Sequence, residues 1–291
     1  MVALHPGFAP LAEAYDGFIV DLWGVIHDGV TPYPGAIDVL ARLRQAGKRV
    51  VLLSNAPRRA AAAQAAMRGM GIADDLYTAC ITSGEATHLH LRDRDDPFFA
   101  DLGERVFHLG PERDKNVMDG LGLNEVPSPS VADWVLNTGP DDLRSGATVD
   151  DFEDTLAACA ALGLPMVCAN PDLEVIRGGQ RLICAGSLAA RYAELGGVVR
   201  SVGKPDPTIY VRVFKVLGVA ARDRVLAVGD SLRTDVAGAA AAGVAAAWVL
   251  GGIHGEEVGL QAGRLPDAVA VAARAARDGL APMAALPAFN W

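Results

Sequence analysis

Apolar runs of strand length alternate with stretches of helical spacing along most of this chain, and several of the runs stop abruptly at a polar residue. FIVDL at 18–22 leads into PGAIDVLARLRQAG, whose apolar spacing is helical and ends at Gly47. RVVLLS at 49–54 is the next buried run. Pro57 is placed to open the alanine-rich RRAAAAQAAMRGMG, since proline is tolerated in a first helical turn where its missing donor is not needed. Strands this uniformly apolar, separated by helices, predict a mostly parallel sheet covered on both faces.

After a third helical stretch, SGEATHLHLR, the charged, proline-containing RDRDDP at 92–97 breaks the rhythm and predicts a domain boundary. The strands RVFHLG, DWVLNTG and PMVCAN with the helical DDFEDTLAACAALG then predict a smaller α/β cap over 95–185. From 186 the first pattern resumes with SLAARYAELGG, VVRSVG, PTIYVRVFKVLG, RVLAVG and AAWVL. The expected fold is therefore α/β: a Rossmann-like three-layer core built from 1–94 and 186–291, with the cap inserted between. A chain of 291 residues, 51% of them hydrophobic, has enough apolar surface for both units.

Composition excludes several classes of partner. A formal net charge of -9 without a concentrated basic segment argues against nucleic acid. Val236 to Gly252 carries no charge over 17 residues, yet its four glycines and short length predict a buried helix, a glycine turn and a strand rather than a membrane span. Cys80, Cys159, Cys168 and Cys184 form no CxxC and sit in apolar stretches, as reduced core residues of a cytoplasmic protein would. The N-terminal HPGFAPLAEAYDG lacks the cationic start of a signal peptide.

The chemistry is expected where three apolar strands end: at Asp21, at Ser54-Asn55, and at Asp230-Ser231. In open parallel sheets the ligand crevice lies beyond the carboxyl ends of the strands, so these distant clusters face one site, joined by Lys204 after a fourth strand. Asp21, Asp230 and Asp235 together would repel one another and a phosphate dianion unless a cation neutralised them. An all-carboxylate oxygen set suits magnesium; zinc would call for His or Cys. Magnesium and Lys204 would leave a locally neutral pocket for a phosphoryl group. Ser54 offers a hydroxyl, the helix after Pro57 offers a dipole and free N–H groups, and Asp21 can attack in line to form an aspartyl-phosphate.

DLWGV at 21–25, LLSNA at 52–56, GKPDP at 203–207 and GDSLRTD at 229–235 resemble the four ordered motifs of haloacid dehalogenase-like hydrolases. The insertion, ending in ANPD at 169–172, resembles the α/β cap of the class IIA branch, which includes nitrophenyl phosphate, phosphoglycolate and pyridoxal phosphate phosphatases. The resemblance covers nearly the whole chain. It implies Asp21 as nucleophile and metal ligand, Ser54 and Asn55 holding the phosphoryl group, and Lys204 stabilising it. It further implies magnesium held by Asp21, Asp230, Asp235 and the backbone carbonyl of Trp23. A small phosphorylated metabolite is the implied partner, since a cap excludes macromolecules, and a homodimer built on the cap is implied as well. Asn170 and Asp172 are candidate substrate contacts, although an NPD turn also stabilises itself locally.

One departure stands out. Phosphatases of this superfamily usually carry DxD in the first motif, the second Asp protonating the leaving alcohol and later activating water; here that residue is Trp23. An indole cannot shuttle a proton near neutral pH, so the general acid–base contribution, typically about 100- to 10,000-fold, has no source at this position. Three readings stay open on the sequence: a phosphatase with a good leaving group or another acid, a member with phosphonate or carbon–halogen chemistry, and a phosphate-ligand binding protein with little turnover. His27 and Asp28 are the nearest other proton donors, on a loop expected to face solvent.

Overall fold

The computed structural model describes residues 2–142, 147–261 and 264–291. Its fourteen described strands are β1 Ala3–Leu4, β2 Gly17–Val20, β3 Arg49–Ser54, β4 Ala79–Thr82, β5 Arg105–Leu109, β6 Asn124–Glu125, β7 Trp134–Asn137, β8 Met166–Cys168, β9 Glu174–Arg177, β10 Gln180–Ile183, β11 Val199–Ser201, β12 Val225–Gly229, β13 Ala245–Val249 and β14 Ala284–Leu286. Seven of them form a large sheet in the order β1-β14-β13-β12-β2-β3-β4, every pair parallel. Five form a smaller parallel sheet, β11-β8-β7-β5-β6. β9 and β10 pair as an antiparallel hairpin.

The apolar runs are continuous because both sheet faces are buried. Side chains alternate across a strand, so Phe18, Val20, Val50 and Leu52 join one core cluster while Ile19, Val51 and Leu53 join another. The second of these clusters runs on through Leu91 and Phe99 to Trp134, Leu136 and Val167 of the small sheet, so the two units share buried apolar contacts. The opposite face of the small sheet, with Val135, Met166 and Cys168, packs under the helices Glu153–Ala161 and Ala185–Glu194.

Two expectations about chain organisation change. The sequence pattern puts residues 186–201 in the second core part, but the helix Ala185–Glu194 covers the small sheet and β11 pairs in register with β8, so the small sheet continues past 185 to Ser201. A boundary read from local rhythm misses this, because a strand–helix–strand pattern looks the same whichever sheet it joins. Pro57 does not open its helix, which starts at Ala60; Pro57 and Arg58 instead form a loop packed on Gly84, where a Cβ would come within 2.3 Å of the Pro57 carbonyl oxygen. The uncharged stretch from Val236 resolves into the helix Ala237–Ala242, a left-handed Gly243 and β13, as expected. Among the described residues no helix is long and apolar enough to cross a membrane.

Candidate active site

β2 lies between β12 and β3 in the large sheet, and the chain leaves β2 toward β3 on one side while β12 arrives on the other. The strand ends at this switch place Asp21 after β2 and Asp230 after β12 on one crevice, with Ser54 buried at the end of β3 on the same sheet edge. Asp235 comes from the helical turn Leu232–Val236 that follows. One oxygen each from Asp21, Asp230 and Asp235 lie within 4.8 Å of one another, and all three side chains are buried.

Lys204 is 2% exposed and donates to Asp21 Oδ1 at 2.7 Å, Asp235 Oδ1 at 2.7 Å and the Leu53 carbonyl at 3.0 Å. Burial alone would lower its pKa, but the negative charges of Asp21, Asp235 and Asp172 more than reverse this and hold it well above the usual lysine range. All three ammonium hydrogens have protein acceptors, so in this arrangement Lys204 fixes the carboxylates rather than reaching a phosphoryl oxygen. It arrives from the loop after β11, the edge strand of the small sheet, and not from a core strand as expected.

With all three carboxylates ionised, one ammonium leaves two negative charges uncompensated in a buried space. The electrostatics register this: burial, then repulsion from Asp235, raises Asp230 to about 8. Burial likewise raises Asp21, against the pull of Lys204. Asp230 is closely cradled, since a Cβ on Gly24 or Gly252 would fall 2.0 or 1.9 Å from its Oδ2, which accepts the Ile253 N–H at 2.9 Å. Asp230 is therefore not the cap of the following helix; Ser231 caps it through Thr234 N–H. An all-oxygen set with two uncompensated charges fits a hard divalent cation.

Other expected site residues are placed differently. Asn55 accepts from Lys204 N–H at 2.8 Å and Ser83 Oγ at 3.0 Å, and donates to Asp172 Oδ1 at 2.9 Å and the Lys204 carbonyl at 3.1 Å. Both amide hydrogens are taken, so this side chain ties together three loops and has no donor left for a substrate. Asn170 accepts the Asp172 N–H at 3.0 Å, the local turn foreseen for NPD. Asp172 lines the crevice, its pKa raised by burial against the pull of Lys204. Ser54 is buried and accepts the Ala56 N–H at 3.2 Å. The helix start after Pro57 is no anion seat: Glu85 accepts from Ala60 N–H at 3.1 Å, and the Asn116 side chain accepts from Arg59 N–H at 3.0 Å. A carboxylate of the chain already occupies the favourable end of that dipole.

Trp23 stands at the meeting of two cavities, of about 750 and 630 Å³, and lines both, as do Asp172 and Val175. Its indole packs edge-on to His27, with centroids 5.3 Å apart, and over Gly29. His27 does not face solvent: it is buried, accepts the Gly29 N–H through Nδ1 at 3.0 Å, and is held by burial at about 4. Asp28 accepts from Val30 and Thr31 N–H groups as a local turn. His88 and His90 each have separate partners, Val117 and Asp95. The hairpin β9–β10 beside the crevice was not anticipated, although EVIR-GG-QRLI, two runs joined by Gly178-Gly179 with φ of 53° and 79°, is the expected signal of a tight hairpin turn. Ile253, whose N–H holds Asp230, left no local signal.

A family model for haloacid dehalogenase-like hydrolases matches residues 18–124, and a second HAD-like hydrolase model matches 201–275. Human chronophin is 30% identical over 230 residues, covering 76% of each chain. D-glycerol 3-phosphate phosphatase of Mycobacterium tuberculosis is 30% identical over 255 residues, 84% of this chain and 65% of that protein. A solved haloacid dehalogenase-like hydrolase from Brucella suis 1330 superposes with a TM-score of 0.82 at 32% identity, over 98% of this chain and 99% of that one. A parallel α/β core whose strand ends gather three carboxylates and a lysine defines a hydrolase of this architecture. The chain belongs to the haloacid dehalogenase-like hydrolases.

Proposed function

We propose that this protein is a magnesium-dependent phosphatase of small phosphorylated metabolites that works through an aspartyl-phosphate on Asp21. The observation that carries the reading is the two-charge deficit left by Asp21, Asp230 and Asp235 around Lys204. Magnesium would be held by these carboxylates and by the Trp23 backbone carbonyl, and when bound it would neutralise charge on the phosphoryl oxygens. Relatives named sugar-phosphatase AraL, from Bacillus subtilis, and D-glycerol 3-phosphate phosphatase support the substrate class. A glycerol phosphate phosphatase structure with calcium, 27% identical, supports an oxygen-ligated divalent cation in this fold.

The chain's own residues do the following. Lys204 holds one Asp21 oxygen, leaving the other to attack phosphorus. The bond to the leaving oxygen breaks with its electron pair, and the departing alkoxide takes its proton from water. Ser54 and the backbone beside it hold the phosphoryl oxygens. Water then cleaves the acyl phosphate and returns the Asp21 carboxylate. Trp23 supplies no proton, so the reaction favours leaving groups that depart without one. Phosphate release from p-nitrophenyl phosphate is expected with magnesium, and to fall more than about 1,000-fold in Asp21→Asn, whose amide is no nucleophile. Absence of magnesium-dependent release from this ester and from a panel of small phosphomonoesters would overturn the reading.

A further inference from the structure

The 630 Å³ cavity holds charged groups that the chemistry above does not use. Arg58 lies four residues beyond Ser54, and its side chain, 24% exposed, lines this cavity. Its guanidinium donates no hydrogen bond to any described residue. Nε is buried and unpartnered, and the facing Asp114 Oδ1, 3.4 Å away, is buried and unpartnered too. The pair is close enough to attract yet does not satisfy either group, which is costly in a buried setting. Burial, and the positive charges of Arg113 and Arg177, hold Arg58 below the usual arginine range.

Arg177, exposed at the end of β9 beside the Gly178-Gly179 turn, lines the same cavity and has no acidic or carbonyl partner for its side chain among the described residues. The acids of this cavity are already committed. Asp114 faces Arg58, Asp142 pairs with Arg113, Asp172 accepts from Asn55, and Asp141 is engaged as well. The lining carries four carboxylates against three guanidinium groups, and what lacks a hydrogen-bond partner among the described residues is the Arg177 side chain and the donors of Arg58. Trp23 and Val175 line both this cavity and the one that holds Asp21, and with Leu182 on this side they offer apolar surface that suits a short carbon body and not a third charge.

We propose that this cavity is a second anion subsite: the substrate carries, at the end remote from the transferred phosphoryl group, a carboxylate or second phosphate held by Arg58 and Arg177. Guanidinium groups match either anion through paired N–H donors, so the geometry names the shared chemistry. This inference rests on the phosphatase reading, since it assumes that the phosphoryl group sits at Asp21. A contact to the far end of a substrate is made equally before and during reaction, so its loss raises KM and leaves kcat unchanged.

Glycerol 3-phosphate and 3-phosphoglycerate test it, differing only in a terminal alcohol against a carboxylate; fructose 6-phosphate against fructose 1,6-bisphosphate tests a second phosphate. The charged member of at least one pair is expected to show a KM lower by about tenfold, in line with a charged hydrogen bond. Arg177→Gln, on the exposed hairpin, is expected to erase that difference with kcat unchanged, and Arg177→Lys to restore part of it. Equal KM values within both pairs, or an equal rise for both members in Arg177→Gln, would overturn the inference while leaving the phosphatase reading intact. If no ester turns over, the phosphatase reading fails first. Calorimetric titration of the same pairs into the magnesium-loaded protein then decides the subsite, with equal affinities overturning it.

Discussion

The two parallel sheets meet one crevice with their carboxyl ends, and they treat polar residues there in opposite ways. The large sheet ends in Asp21, Ser54 and Asp230, whose carboxylates are buried with more negative charge than Lys204 can offset. The small sheet ends in Asn137 and, just beyond β8, Asn170, and these bond to backbone nearby in their own unit, Asn170 accepting the Asp172 N–H. Asn137 donates to the Ala185 carbonyl at 3.0 Å and accepts the Gly139 N–H at 3.1 Å; Thr138 bonds His108 at 2.8 Å. Strand ends alone therefore do not make a site. An edge whose polar groups still require a ligand does chemistry, and an edge whose groups are already paired shapes the wall opposite.

The comparison breaks most sharply at Lys204. Lys204→Met leaves buried carboxylates uncompensated and is expected to cost about 3–5 kcal/mol in urea denaturation without metal. Saturating magnesium should recover part of the loss, because a ligand that binds only the folded state stabilises it. No recovery would mean that the carboxylates do not hold the cation.

Trp23→Asp sharpens the large-sheet edge. It is expected to raise turnover about tenfold or more on alkyl phosphates and far less on p-nitrophenyl phosphate, since only the former need a proton on departure. Equal gains on both would show that a missing acid is not what limits the enzyme. On the small-sheet edge, Asn137→Ala is expected to cost about 1–3 kcal/mol of stability by orphaning the Ala185 carbonyl and Gly139 N–H, with kcat held within about twofold. A fall in kcat without a loss of stability would place this edge in the chemistry after all.

The smallest effect at neutral pH comes from two histidines, one on each side. His27 and His108 are both held at about 4 by burial, and so are neutral in the folded protein. A group depressed in the folded state contributes stability that is present above its unfolded pKa, about 6.5, and is lost as pH falls through its folded value. The stability that these two histidines contribute is expected to decline from about pH 6.5 toward 4, against the opposite trend of the raised carboxylates Asp21, Asp172 and Asp230. His27→Asn and His108→Gln should each make the profile of denaturation midpoints less favourable to high pH, and an unchanged profile would show that neither histidine is held low by its surroundings.

Apolar runs such as RVVLLS and RVLAVG became β3 and β12 because parallel strands buried on both faces need no alternation. The polar residues at their ends pointed to the crevice because topology puts them there. The misplaced features all depend on partners far along the chain. Glu85 fills the helix start that Pro57 was expected to open for a phosphate, and Asn55 spends its amide on Asp172, 117 residues away.

For this protein, then, the strand-end trio Asp21, Ser54 and Asp230 was determined by the sequence itself, because hydrophobic period and strand termination are local properties. Only tertiary structure decided that Lys204 comes off the small sheet to grip Asp21, 183 residues away, and that Trp23 stands between two cavities. The physical reason is the same in both cases. A charge or a donor acquires its role from whatever reaches it, and that is settled by packing between elements and not by neighbours in the chain.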